Sequence, residues 1–280
     1  MKFLSQVTDH DHAIALGNFD GVHLGHQQVI KTAKQKAYEI GCRSAVVTFS
    51  PHPVKVLSKG NFHEILSLEE KTSTIKRLGI DEVIVINFTE DFSKLPAETF
   101  INELCQRLKI RSITTGYNFR FGHNRHGNIE TIDRAKRKYN FKFNAINQVL
   151  YNGSQISSSI LRQVIKVGCV RLFSDFTGRH YTIDCTFQSE IDGYQLYRIS
   201  NENLLLPPDG VYLAEIDENH SCIFLMGSQL AVKMLDQSNG SKATKIKLLT
   251  ILGQESSIDK VWFDKVKVIS YIRKAKFCLS

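Results

Sequence analysis

The stretch Gly17-Asn18-Phe19-Asp20-Gly21-Val22-His23-Leu24-Gly25-His26 decides how the first half of the chain is read. It follows the apolar run Ala13-Ile14-Ala15-Leu16 and precedes Gln27 to Ile40, where Val29, Ile30, Ala33, Ala37 and Ile40 recur near helical spacing. The order is therefore strand, glycine turn, helix. Gly17 and Gly21 permit positive φ and let backbone amides approach an anion. A helix starting near Gly25 directs its unpaired amides and positive dipole end at the same place. His23 and His26, separated by Leu-Gly, can both face one ligand there. An imidazole can hydrogen-bond phosphate oxygens and follow charge developing on phosphorus. Two blander readings stay open at this point. One is a tight connection without a ligand; the other is a metal site, for which two histidines with no nearby Cys or third His are a poor set.

The 280 residues, 42% hydrophobic and 23% charged, suffice for two ordinary domains and carry no compositional sign of disorder. Met1-Lys2-Phe3-Leu4, followed by Thr8, Asp9, His10, Asp11 and His12, gives the expectation of no signal peptide. No apolar run approaches bilayer-spanning length, and a cytoplasmic protein is expected. Cysteines at 42, 105, 169, 185, 222 and 278 form no Cys-x-x-Cys pair or Cys/His cluster, so they are expected to be buried, reduced thiols. The net charge of +8 suits a protein that handles polyanions. Between Lys242 and Lys276 nine basic residues stand against three acidic ones. Several alternate with apolar residues, as in Lys265-Val266-Lys267-Val268, so the solvent face of a strand is preferred there to a nucleic-acid surface.

Downstream, Ser44 to Phe49 reads as a strand that must stop at Ser50-Pro51-His52-Pro53, because the prolines fix φ and remove amide donors. Ser67 caps a helix with Glu69 and Glu70 in its first turn, Ile75 and Leu78 on its apolar face and Gly79 at its end. Glu82 to Ile86 is near-continuously apolar, as expected of a strand covered on both faces. Phe88 to Ser93 is expected as loop, with Glu90 and Asp91 on its surface. Ala97 to Leu108 is an amphipathic helix and Arg111 to Thr115 another strand. The alternation argues a parallel α/β sheet of Rossmann-like type. Gly116-Tyr117-Asn118-Phe119-Arg120-Phe121-Gly122 interleaves aromatic side chains with Arg and Gly, a composition that stacks on an isoalloxazine or adenine ring and equally on RNA. Arg125 and Asn128, just beyond, carry less weight. In Ile156-Ser157-Ser158-Ser159-Ile160-Leu161-Arg162, one serine suffices for a helix cap. Three hydroxyls, amides and Arg162 one turn in make a polyphosphate site.

Taken together, these segments resemble the bacterial bifunctional riboflavin kinase/FMN adenylyltransferase (FAD synthetase) family. Gly17 to His26 is similar to its His-x-Gly-His signature, Thr48-Phe49-Ser50-Pro51-His52-Pro53 to its Thr-Phe-x-Pro-His-Pro segment, Gly116 to Gly122 to its Gly-x-(Asp/Asn)-Phe-x-Phe-Gly segment, and Ile156 to Arg162 to its Ile-Ser-Ser-Thr-x-Ile-Arg motif. The resemblance runs from Ala13 to about Phe173. It implies transfer of AMP from MgATP to FMN, giving FAD and pyrophosphate. His23, His26 and Arg162 are the implied catalytic residues, and Gly17, Phe19, Gly25, His26, Ser157, Ser158, Ser159 and Arg162 the ATP-binding ones. Pro53, Leu57, Asn118 and Phe121 are implied around the flavin, with no protein-held metal. His52 is left as structural.

From Gly178 the pattern changes to short alternating segments at Thr182 to Phe187, Val211 to Ile216, Ile223 to Met226, Lys245 to Leu252 and Lys265 to Tyr271. Asp192-Gly193, Pro207-Pro208-Asp209-Gly210 and Asn239-Gly240 punctuate them, as in an all-β barrel or sandwich. Gly178-Arg179, Leu206 to Tyr212 and Tyr271 to Phe277 resemble the framework of the family's riboflavin kinase barrel. Its chemistry is replaced: Leu196 and Arg198 stand where the kinase has its Thr and Asn, Lys245 where it has its general-base Glu, and Leu225 to Ala231 where it has Asn-Ile-Gly-x-Arg-Pro-Thr. Leu196 cannot ligate Mg²⁺, Arg198 repels it, and a lysine of ordinary pKa cannot accept the flavin hydroxyl proton. The expectation is an adenylyltransferase domain over 1–175 and a degenerate kinase-like barrel over 176–280. Three alternatives remain: an enzyme still bifunctional, a relative that transfers a nucleotide to another phosphate, and a flavin- or nucleic-acid-binding regulatory module. The oligomeric state is not legible in the sequence.

Overall fold

A computed structural model describes residues 9–58, 62–191, 193–234 and 245–254. The expected strand Lys265 to Tyr271, the Asn239-Gly240 turn, the closing Tyr271 to Phe277 segment, Cys278 and most of the basic stretch lie outside them. The chain divides into two compact units, Met1–Ser158 and Ser159–Ser280.

In the first unit β1 (His12–Leu16) leads through the glycine turn into α1 (Leu24–Ile40), then β2 (Arg43–Ser50), α2 (Pro53–Leu57), α3 (Leu68–Arg77) and β3 (Glu82–Asn87). It continues with α4 (Glu90–Ser93), α5 (Ala97–Leu108), β4 (Ile110–Gly116), α6 (Ile129–Tyr139) and β5 (Lys142–Ile146). The five strands are all parallel in the order β3-β2-β1-β4-β5. Alternate residues of the strands, Ile14, Leu16, Ala45, Val47, Phe49, Ile86 and Ile113, join Phe100, Ile101, Leu104 and Leu108 of α5 in one core. On the opposite face, small residues such as Ala13, Ala15, Ser112 and Thr114 are fully buried, and α1 packs across β1, β2 and β4 through Val29, Ile30, Ala33 and Ala37.

Two local expectations change. β3 is not covered on both faces: it is an edge strand, and Val85 is 37% exposed. The segment expected as loop at Phe88 to Ser93 contains the single turn α4, capped by Thr89 Oγ1, which accepts the Phe92 amide at 3.1 Å. Glu90 and Asp91 are the acids of that first turn, and Asp91 pairs with Lys94 at 3.4 Å.

A short hairpin, β6 (Leu150–Tyr151) and β7 (Ser154–Gln155), precedes α7 (Ser158–Lys166), which crosses from the first unit to the second. The second unit then holds α8 (Val170–Thr177) and a closed antiparallel barrel. Its strands are β8 (Tyr181–Ile191), β9 (Tyr194–Ile199), β10 (Gly210–Ile216), β11 (Asn219–Met226), β12 (Gln229–Met234) and β13 (Lys245–Gln254). They pair in the order β10-β11-β12-β9-β8-β13, with β13 returning to β10. Tyr181, Ile183 and Cys185 are buried while Thr182 and Asp184 alternate with them at half-buried positions, the period-two pattern of a small filled barrel. Among the described cysteines Cys185 and Cys222 are buried, Cys42 and Cys105 half-buried and Cys169 exposed, so the expectation of uniform burial fails at Cys169. Burial pushes the Cys105 and Cys185 thiols up to about 12, which keeps them protonated and inert.

Candidate active site

In an open parallel sheet a ligand crevice forms at the carboxyl ends of neighbouring strands whose connections depart in opposite directions. Here that place lies between β1 and β4, the strands at the centre of the order. The turn after β1 holds Gly17 to His23, and the turn after β4 holds Tyr117 and Asn118; Pro53 follows β2, the next strand outward.

The turn after β1 is held in an uncommon backbone shape. Phe19 and Val22 have positive φ (50° and 40°), as does Gly21 (77°). Such a conformation costs of order 1–3 kcal/mol per non-glycine residue and persists only where its surroundings fix it. Side chains do so by holding the turn's carbonyls. Thr48 Oγ1 donates to Asn18 O at 3.0 Å, Ser158 Oγ to Asp20 O at 2.8 Å, and Gln27 Nε2 to Val22 O at 3.1 Å. Gly17 does not use a positive φ; its role is space, since a Cβ there would lie 3.1 Å from the buried Phe19 ring.

α1 begins at Leu24 with no acidic residue in its first turn, which leaves its positive end uncompensated by its own side chains. His23 is the N-cap: its Nδ1 accepts the backbone N–H of His26 at 3.2 Å. A neutral ring accepting through Nδ1 carries its proton on Nε2. The His23 and His26 rings stack with centroids 3.6 Å apart and planes inclined by 17°. Gly25 makes room for this arrangement, because a Cβ would lie 3.1 Å from His23 Nδ1. The Phe19 and His26 rings meet in a T-shape with centroids 5.4 Å apart. His26 Nδ1 is buried with no hydrogen-bond partner among the described residues. Burial, then the neighbouring His23, then the Lys71 ammonium hold its imidazole well below the usual histidine range. An anion at this point would supply both a partner for Nδ1 and a charge that favours imidazolium.

The residues expected around the flavin separate into two kinds. Asn118 is exposed in the turn after β4, Pro53 is half-buried at the first position of α2, and Leu57 is 60% exposed beside exposed Val54. Phe121, by contrast, is only 7% exposed and belongs to the core, stacked on Phe119 at 5.5 Å and tilted against Phe100 at 5.6 Å. His52 caps α2 by accepting the Val54 amide at 3.2 Å and stacks on Phe62 at 4.4 Å, a structural assignment. Asn128 forms a capping box with Thr131 at the start of α6, and Arg125 is exposed. Ser157 precedes α7, while Ser158, Ser159 and Arg162 lie in it. The Ser158 hydroxyl proton is committed to Asp20 O.

One site residue escaped the sequence reading: Lys71 of α3. Its ammonium is buried and donates to Phe49 O at 3.0 Å and Asn18 O at 3.5 Å. The signal was present, since Lys71 lies four residues before Ile75 and so on the apolar face of α3. Among the described residues no group of three or more His, Cys, Asp or Glu could hold a metal ion, and no helix is long and apolar enough to cross a membrane.

Comparison with known proteins completes the picture. A crystal structure described as a macrolide-efflux protein from Streptococcus pneumoniae superimposes with a TM-score of 0.80 at 22% identity, over 96% of this chain and 93% of that one; it shows the fold. The bifunctional riboflavin kinase/FMN adenylyltransferase of Listeria monocytogenes is 33% identical over 221 residues, 76% of this chain and 70% of that protein. The protein of the same name from Bacillus subtilis is 33% identical over 215 residues, 74% of this chain and 67% of that one. The FAD synthetase family model matches residues 5–160, the stretch that contains the glycine turn and both histidines. The chain is a nucleotidyltransferase and belongs to the FAD synthetase family.

Proposed function

We propose that this enzyme transfers AMP from MgATP to FMN, releasing pyrophosphate and FAD, and that its barrel has lost riboflavin kinase activity. The observation that carries the first part is the stacked His23–His26 pair at the N-terminus of α1, beside the point where the sheet order reverses. A phosphate oxygen of FMN attacks the α-phosphorus of ATP, and the bond from that phosphorus to the bridging oxygen of the β-phosphate breaks. The nucleophile is already an anion, so no general base is required, and catalysis rests on positioning and charge stabilisation. His23, through Nε2–H, and His26 donate to the α-phosphate oxygens as charge builds there. Gly17, Phe19 and Gly25 shape the nucleotide pocket. Ser157, Ser158, Ser159 and Arg162 take the leaving pyrophosphate, Ser158 acting by fixing the turn through Asp20. Asn118, Pro53 and Leu57 receive the flavin, and Phe121 backs them from the core. Mg²⁺ enters as part of the substrate, bound through ATP oxygens and water.

For the barrel, support comes from Leu196, 3% exposed and packed among Val211, Cys222, Phe224 and Ala231. Where the related kinases need a hydroxyl for metal and phosphate, Leu196 offers only carbon within an apolar cluster. Arg198 pairs with Glu202 at 3.1 Å and Lys245 with Asp184 at 3.5 Å, both near the surface. We assign residues 1–175 to adenylyl transfer in the cytoplasm and 176–280 to the relic barrel, with no nucleic-acid partner. Replacing both His23 and His26 by Ala tests the chemistry: FAD formation is abolished while the circular dichroism is retained. Full activity in that variant overturns the assignment.

A further inference from the structure

We propose that Lys71 is a positioning residue that ties the turn after β1 to the carboxyl end of β2, setting the spacing between the nucleotide-side and flavin-side loops. This rests on the functional reading above.

Three observations carry it. First, the two carbonyls that Lys71 reaches belong to different elements: Asn18 lies in the glycine turn, and Phe49 is the penultimate residue of β2, which runs into Pro51-His52-Pro53. Thr48 of β2, the other donor to Asn18 O, holds the turn against the strand but leaves Phe49 O alone, so Lys71 is the side chain that grips both carbonyls. Secondly, Lys71 is an amine placed where water is scarce, 8% exposed. Burying a cation is costly unless its environment compensates, and a methionine of similar length fills such a space without that cost. Burial holds the Lys71 amine below the ordinary lysine range, and the two carbonyls it donates to, with the Asp20 and Glu64 carboxylates, work against that loss of charge. Thirdly, that charge is felt at His26, where it disfavours imidazolium in the free enzyme. The same positive field favours a polyphosphate arriving over the turn.

In-line transfer needs the attacking oxygen and the α-phosphorus aligned at near-contact distance, and a displacement of about 1 Å can cost about a hundredfold. A tie between the loops that carry the two substrates acts on that separation, so its loss lowers kcat more than it weakens either substrate alone.

The test uses the full chain with Lys71→Met, and Thr48→Val as a comparator that removes the other donor to Asn18 O and leaves the donor to Phe49 O in place. Steady-state kinetics with FMN and MgATP are expected to give a kcat about tenfold lower or more in Lys71→Met, with both KM values within about threefold of wild type. Amide hydrogen exchange, which requires no activity, is expected to quicken in peptides covering 17–22 and 49–54 in Lys71→Met, and only over 17–22 in Thr48→Val. Unchanged exchange over 49–54, or kcat within twofold of wild type in folded Lys71→Met, overturns the proposal. Should Lys71→Met fail to fold, Lys71→Gln is judged by the same criteria. If the wild type makes no FAD, the functional reading falls, and the exchange data alone decide whether Lys71 ties the loops.

Discussion

His23 caps the helix that His26 occupies: its Nδ1 accepts the His26 backbone amide at 3.2 Å while the two imidazoles stack 3.6 Å apart. One residue thus starts α1 and faces its ring onto the second histidine, so structural and chemical roles coincide and have to be separated by substitution.

His23→Asn keeps an N-cap acceptor and removes the imidazole, whereas His23→Ala removes both. His23→Ala is expected to lower stability by about 1 kcal/mol, the usual cost of losing a cap, and His23→Asn by no more than a few tenths. Both are expected to cut kcat for FAD formation by about a hundredfold or more. Thermal melts and initial rates read the two effects; an active His23→Asn enzyme would reduce His23 to a cap.

The depressed His26 pKa makes stability depend on pH. The unfolded chain takes up a proton near the ordinary value of 6.5, while the folded chain resists doing so because of burial and the His23 and Lys71 neighbours. Below 6.5 the unfolded state therefore binds more protons, so stability is full above that pH and falls as pH drops below it. Melting temperature should decline between pH 7.5 and 5.5, and His26→Gln should flatten that part of the profile. Identical slopes in the two proteins would contradict the assignment.

Ser158 Oγ donates to Asp20 O at 2.8 Å, and its loss leaves a half-buried carbonyl without that donor. Ser158→Ala should cost about 1 kcal/mol. It should also raise KM for MgATP several-fold while KM for FMN stays put, because the turn it fixes is the one proposed to hold the nucleotide. Equal changes in both KM values would argue against that placement.

In the barrel, Leu196→Ala removes a buried side chain and should cost about 2–5 kcal/mol. FAD formation measured below the melting temperature should be unchanged. A matching loss of activity would give the barrel a part in the adenylyl transfer.

Much of the first unit was legible in the chain because its strands and helices carry their own signals. Ala13 to Leu16 is wholly buried, Ser67 caps α3 by accepting the Glu70 amide at 3.1 Å, and Gly79 takes a φ of 80° where that helix ends. The edge position of β3 was not legible, since Val83 to Ile86 is equally apolar whether a neighbour covers it or not. Strands β9 and β12, where Gln195 to Arg198 pair antiparallel with Gln229 to Val232, were not legible; short two-residue alternation is a weak signal. At the turn after β1, the sequence legibly placed His23 and His26 at the start of a helix, but it could not give the carbonyl partners of Thr48, Ser158 and Lys71. Those contacts join residues 30, 138 and 53 positions from the turn they hold. For the same reason Phe121, an aromatic residue in a ligand-like segment, turned out to face the core.

The central claim is tested most directly by incubating the purified protein with MgATP and either FMN or riboflavin in parallel, then separating the flavins by chromatography. FAD from FMN, with neither FMN nor FAD from riboflavin, is the predicted result. FMN or FAD appearing in the riboflavin sample would contradict the loss of the kinase, and absence of FAD from the FMN sample would contradict adenylyl transfer itself.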